Sequence, residues 1–198
     1  MKAISKFLRD ERAWVDFILS RTALILASVV VIAAVYHFAV SIQDVNRQKE
    51  LDLLSMELVS YIDKAGSSPD ELNITYDFNK ESLPYFQGQQ LEAIISSEYV
   101  VVNANINGRP IISARTPAFR VYPYSYMALC NDLRSEYGSN GSMVEPVSAN
   151  HRDIMGYLTS RAREVNFNTS NPVYIQKTFI YFTDNINVEK IGYVLVYQ

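Results

Sequence analysis

The chain has 198 residues, with 18 Lys plus Arg against 21 Asp plus Glu for a formal charge of −3, and one cysteine. The slight acidity gives no reason to expect a nucleic-acid partner. A lone cysteine excludes an internal disulfide, so any folded domain must be held by packing. Cys130 stands in the apolar run Met127-Ala128-Leu129-Cys130 and reads as a small core residue.

The first 21 residues carry Lys2, Lys6, Arg9, Arg12 and Arg21. From Thr22 to Ile42 there is no permanently charged residue. At 1.5 Å per helical residue that run covers about 30 Å, the hydrocarbon thickness of a bilayer. A chain of this size could not surround such a helix with protein. After the run, residues 43–63 hold Arg47 and Lys49 against Asp44, Glu50, Asp52, Glu57 and Asp63. The basic side is expected to stay in the cytoplasm, which puts the C-terminal part of the chain outside the cell membrane. Residues 1–16 then form a cytoplasmic leader and 17–42 a single transmembrane helix. Trp14 and Tyr36 lie where interfacial aromatics tend to sit, and His37 lies about one turn from the outer end, within reach of the interface. A cleaved secretory signal is the alternative, with Ala39-Val40-Ser41 as its small-x-small site. Asp10, Glu11 and Asp16 in the leader, and the length of the apolar run, favour a retained anchor.

No Pro or Gly occurs between Lys2 and Ala65, so the helix is expected to continue past the membrane through residues 43–65. Leu51, Leu54, Leu58, Tyr61 and Ala65 fall at alternating spacings of three and four, and Ile62 widens the stripe. An amphipathic face of this kind must bury against something, either the chain's own outer domain or other copies of the helix. Gly66-Ser67-Ser68-Pro69 is the stop.

Residues 66–198 read as one extracytoplasmic α+β domain. Strands are expected over 73–78, 99–106 and 109–115, the last two joined at Asn107-Gly108. Helices are expected over 125–137, stopping at Gly138, and over 150–165, with Ile154, Leu158, Ala162 and Val165 on one face. A second hairpin joins 173–182 to 188–197 through Asp184-Asn185-Ile186-Asn187. The fold class is therefore α+β: a long transmembrane-plus-amphipathic helix, then a mixed head with antiparallel hairpins and two or more helices.

No catalytic residue stands out. The outer domain has a single histidine, His151, and a single cysteine, too few for a zinc site. No phosphate loop, nucleophile elbow or other cofactor motif is present. His151-Arg152-Asp153 has none of the companions of the kinase triplet and opens a helix, where Asp153 suits the dipole. Three sequons, at Asn73, Asn140 and Asn168, are compatible with an outer surface. The 14 tyrosines, densest at Tyr122-Pro123-Tyr124-Ser125-Tyr126, suit either a binding face or ordinary sheet packing.

A short basic leader, an apolar helix that runs into an amphipathic half, and a sheet-containing head outside together resemble type IV pilins and pseudopilins, including archaeal pilin-like proteins. The resemblance covers the first 65 residues. It implies cutting by a prepilin peptidase, with Arg12-Ala13 before the cut and Trp14 after it. Ala13 stands where the family usually has Gly, and Ile18 stands at the fifth mature position, where an acid is usual. The resemblance further implies a non-enzymatic structural or assembly subunit, self-associating or joining other pilin-like subunits through the helix, with lipid around it until assembly. The competing reading is a tethered extracytoplasmic ligand-binding or sensor-type domain, and a tethered enzyme comes third.

Overall fold

A computed structural model describes residues 2–78, 84–86, 91–106, 108–183 and 187–198, with side chains from residue 14 onward, Pro84 excepted. The chain divides into two units, Met1–Asn46 and Arg47–Gln198.

The first unit is helical over its described length, as the opening part of helix α1 (Lys2–Ser67). The helix starts well before residue 17, where the transmembrane segment is expected to begin. Its leader has no Pro or Gly and is dominated by residues that lose little entropy in a helix. The side chains of Arg12 and Ala13, half of the expected processing junction, lie outside the described residues.

The second unit holds the rest of α1 and an α+β head. Its strands are β1 (Leu72–Tyr76), β2 (Leu91–Ile95), β3 (Val100–Ile106), β4 (Arg109–Arg115), β5 (Val121–Tyr122), β6 (Val165–Asn168), β7 (Val173–Thr183) and β8 (Val188–Tyr197). Among the described residues it also has helices α2 (Tyr126–Tyr137) and α3 (His151–Arg161) and a 3-10 turn at Pro84–Phe86. The strands form two four-stranded sheets, ordered β1-β7-β8-β5 and β4-β3-β2-β6. All pairings are antiparallel except β5 with β8, which is parallel.

Two cores result. In the first, Leu51, Leu54, Leu58, Ile62 and Ala65 of α1 pack with the inward side chains of β2 and β3, and with Val173, Ile175, Val194 and Val196 of β7 and β8. In the second, Leu129 and Leu133 of α2 and Ile154 and Leu158 of α3 pack with Ile180, Phe182, Tyr193 and Leu195. Strand β8 is shared: Val194 and Val196 face the first core and Tyr193 and Leu195 the second. That explains its unbroken run Tyr193-Val194-Leu195-Val196, because a strand covered on both faces has no polar side.

Local signals set several boundaries. Ser125 caps α2, its hydroxyl accepting from the Ala128 amide, and Gly138 closes it at φ 75°, in the left-handed region open to glycine. Asn150 caps α3 through the Asp153 amide. That helix, however, ends at Arg161 and not near Val165. Val165-Asn166-Phe167-Asn168 instead pairs with β2, which buries Phe167 in the first core. Sheet pairing overrides the weak helical pattern here. Strands β2 and β5 are likewise absent from the sequence-based expectation. Asn107 and the turn residues 184–186 lie outside the described residues.

Candidate functional site

The first candidate is the apolar surface of α1. Every side chain from Trp14 to Ala39 is exposed, including Leu24, Ile25, Leu26, Val30, Ile32 and Phe38 at 61–68%. It is the one helix among the described residues long and apolar enough to cross a membrane. Three of its polar side chains have local partners. Thr22 Oγ1 donates to the Ile18 carbonyl at 2.9 Å, Ser28 Oγ donates to the Leu24 carbonyl at 2.8 Å, and the Arg21 guanidinium lies 4.8 Å from the Phe17 ring centroid. Such back-bonding leaves no polar atom of these hydroxyls unpaired in hydrocarbon. Thr22 to Ile42 contains eleven Leu, Ile, Val and Phe residues. At about 0.3–0.6 kcal/mol each they favour insertion by roughly 3–7 kcal/mol, before the offset from His37 and the serines.

The second half of α1 is set into the head. Leu51, Leu58, Ile62 and Ala65 are fully buried, Leu54 is 5% exposed, and Tyr61 is half-buried at the core margin, 5.5 Å from the Tyr76 ring. Polar pins fix the register. Ser113 Oγ of β4 donates to Asp52 Oδ1 at 2.6 Å and lies 2.7 Å from Ser55 Oγ, all on the buried side. Gln48 Nε2 donates to the Ile112 carbonyl, Tyr76 Oη to Glu57, and the Ala118 amide to Asp63. Burial, and then the Glu57 charge, push the Tyr76 phenol well up. At the helix end Lys177 Nζ donates to the Gly66 and Ser68 carbonyls, placing a cation on the negative pole of the helix. Gly66 has no room for a side chain: a Cβ there would stand 2.3 Å from the Phe119 ring.

The third feature was not anticipated from the sequence. On β2, β3, β4 and β6 the alternate residues face away from the core. Pairing sets Asn168, Glu92, Asn103 and Ile112 in one row across the four strands. The next row is Asn166, Ile94, Val101 and Ala114, and Asn105 pairs with Pro110 on the other side. Between Glu92, Asn103, Asn105, Pro110 and Ile112 lies a depression of about 260 Å³. Ile112 is 54% exposed on its rim. The signal available in the sequence was Asn at alternate positions, 103 and 105, then 166 and 168, in runs otherwise suited to strands.

The other sequence candidates are dispersed. Asn73 is exposed on edge strand β1, and Asn168 is exposed at the end of β6. Asn140 is half-buried, its Oδ1 accepting from the Ser142 amide. The tyrosine cluster is mostly packing: Tyr122 is buried against Tyr193, with ring centroids 5.3 Å apart, and burial raises both phenols. Tyr124 is half-buried and pushed up to about 12 by burial and then by Asp132. Cys130 is partly buried on α2. His151 opens α3 beside Phe182, with 6.0 Å between ring centroids. Among the described residues no group of three or more His, Cys, Asp or Glu is placed to hold a metal.

No protein-family model matches the chain, and comparison with curated proteins and with solved structures gave no significant match.

Proposed function

We propose that this chain is a non-enzymatic, pilin-like surface subunit, anchored by the apolar part of α1 with its head outside the cytoplasm. One observation carries the reading. A single helix is exposed and apolar over Trp14–Ala39, yet from Leu51 onward it supplies the buried spine of the head. A detachable signal has no reason to be continuous with a core element, whereas an assembly subunit needs its membrane segment joined firmly to its head. Ser20, Ala27, Ala34 and Ser41 recur every seven residues along the exposed helix. Small residues at that spacing let neighbouring helices approach closely in a bilayer.

The test is the intact mass and N-terminal sequence of protein from its native membrane, with cysteine crosslinking of Ala27→Cys in a Cys130→Ser background. A start at Trp14 with crosslinked multimers is the expected result for a processed subunit. A start at Met1 with multimers fits an unprocessed one. A start at Ile42, or strictly monomeric protein, refutes the proposal. The second reading, a tethered ligand-binding head, is favoured by the depression bounded by Glu92, Asn103, Asn105 and Ile112.

A further inference from the structure

The outer face of β4-β3-β2-β6 has an unusual composition for a solvated sheet. Lys, Glu and Thr are the ordinary solubilising choices, and Asn is disfavoured in strands because its short amide competes with the backbone. Among the described residues four Asn share this face, and the only charge beside them is Glu92. Arg109 and Arg115 of β4 fall at alternate positions, on the opposite side of the pleat. Among the described residues Glu92, Asn103, Asn105 and Asn166 make no side-chain hydrogen bond, so their capacity is open to a ligand.

The charge pattern selects the ligand class. With no cation on the face among the described residues, a phosphate, carboxylate or nucleic acid gains nothing there, and one carboxylate is a poor divalent-cation site. What remains is a neutral molecule rich in groups that both donate and accept. Each Asn amide offers two donors and an acceptor, and Glu92 offers acceptors only, which matches vicinal hydroxyls. Ile112 and Pro110 supply an apolar rim for the C–H face of a sugar ring.

We infer that this face binds a neutral saccharide, laid along the row Asn168–Glu92–Asn103 and ending in the depression beside Asn105 and Ile112. The saccharide has two possible sources. One is a glycan on this chain: Asn168-Thr169-Ser170 is a sequon at the head of the row, and adjacent positions in the row are about 4.8 Å apart. Attachment replaces one Nδ2–H of Asn168 with a bond to C1 of a glycosyl phosphate donor. The phosphate leaves with the C1–O electron pair, and the proton passes to solvent. The other source is a free neutral oligosaccharide at the cell surface. The inference rests on the extracytoplasmic placement of the head, which protease accessibility on intact cells tests separately.

The experiment uses full-length protein from its native membrane in a sugar-free zwitterionic detergent. Peptide mass over Asn168 decides the source. If a glycan is present, endoglycosidase should release it several-fold faster from a Glu92→Ala, Asn103→Ala double variant than from wild type. If Asn168 is unmodified, titration with maltotriose and with N,N′-diacetylchitobiose should shift the side-chain amide signals of Asn103 and Asn105 saturably. The double variant should then weaken binding at least tenfold. Both substituted side chains stand on the outer face, so the unfolding midpoint should hold, and Asn105→Ala serves as a second variant if it does not. Bare Asn168 with no shift from either probe overturns the inference, as does release or binding unchanged in the variants. A head cut by protease from outside, together with either negative, leaves the topology standing and removes only the saccharide.

Discussion

Replacing Leu58 by alanine tests whether the head itself is the partner of the amphipathic half of α1. Leu58 is fully buried in the first core, between Leu54 and Ile62 on the same helical face. Buried Leu→Ala changes cost about 2–5 kcal/mol, from lost transfer energy plus the residual cavity. Leu53, on the same helix, is 58% exposed, and its replacement should stay within about 0.5 kcal/mol. For a domain of roughly this size each kcal/mol moves the midpoint about 2–4 °C. A central loss of about 3 kcal/mol therefore lowers the head's Tm by roughly 6–12 °C in Leu58→Ala, against about 2 °C or less in Leu53→Ala. Leu54→Asp and Leu58→Asp would go further, because an unpaired carboxylate in that core stops the head from folding. Thermal unfolding of the full chain in detergent micelles, followed by circular dichroism, reads all four. Equal midpoints for Leu58→Ala and Leu53→Ala would refute the reasoning, since the stripe would then have no partner within the head.

Gly66→Ala should destabilise the head by about 1–3 kcal/mol through the clash with Phe119, and adding Phe119→Ala should recover part of the loss in denaturant melts. Ser113→Ala removes the hydroxyl that meets both Asp52 and Ser55 and should cost about 1–3 kcal/mol, whereas Ser148→Ala, at an exposed position, should be close to neutral. Val31→Arg together with Ile25→Arg places two charges on the apolar helix at roughly 2.5–3.5 kcal/mol each. Carbonate extraction should then find the protein in the soluble fraction, and retention in the membrane would contradict a spanning helix. Alkaline pH should unfold the head. Burial raises the Tyr76, Tyr124 and Tyr193 phenols, Tyr124 to about 12, so the folded state holds these protons longer than the unfolded chain does. Their contribution is fully present below about pH 10 and is lost as pH rises from there through the folded values. Part of the tyrosinate absorbance should accordingly appear only with unfolding.

Much of this architecture was legible because strong local rules agreed with it. The stripe from Leu51 to Ala65 has helical period and no breaker, and Ser125 and Gly138 bracket α2 as capping chemistry requires. Strands β3 and β4 were legible from β-branched runs around Asn107-Gly108. Strand β2 was not, because Leu91-Glu92-Ala93-Ile94-Ile95 is neutral between helix and strand, and its alternation of burial exists only once β3 and β6 flank it. Strand β6 was hidden behind an apparent extension of α3 for the same reason. The outer-face row eluded sequence reading because its members come from 92, 103, 112 and 168, and only register brings them together. Periodicity reports which face a residue occupies and carries no information about its neighbour across the sheet.

The position of β8 has a consequence for biosynthesis. Tyr193–Val196 belongs to both cores, so neither the α1 side nor the α2–α3 side of the head is complete before those residues leave the ribosome. Contacts between residues near 51–65 and residues near 194–196 close loops of over a hundred residues, which makes the final step slow. If the head is exported, it is therefore threaded while still unfolded, and its apolar strands are the segments most in need of a holding chaperone on the way.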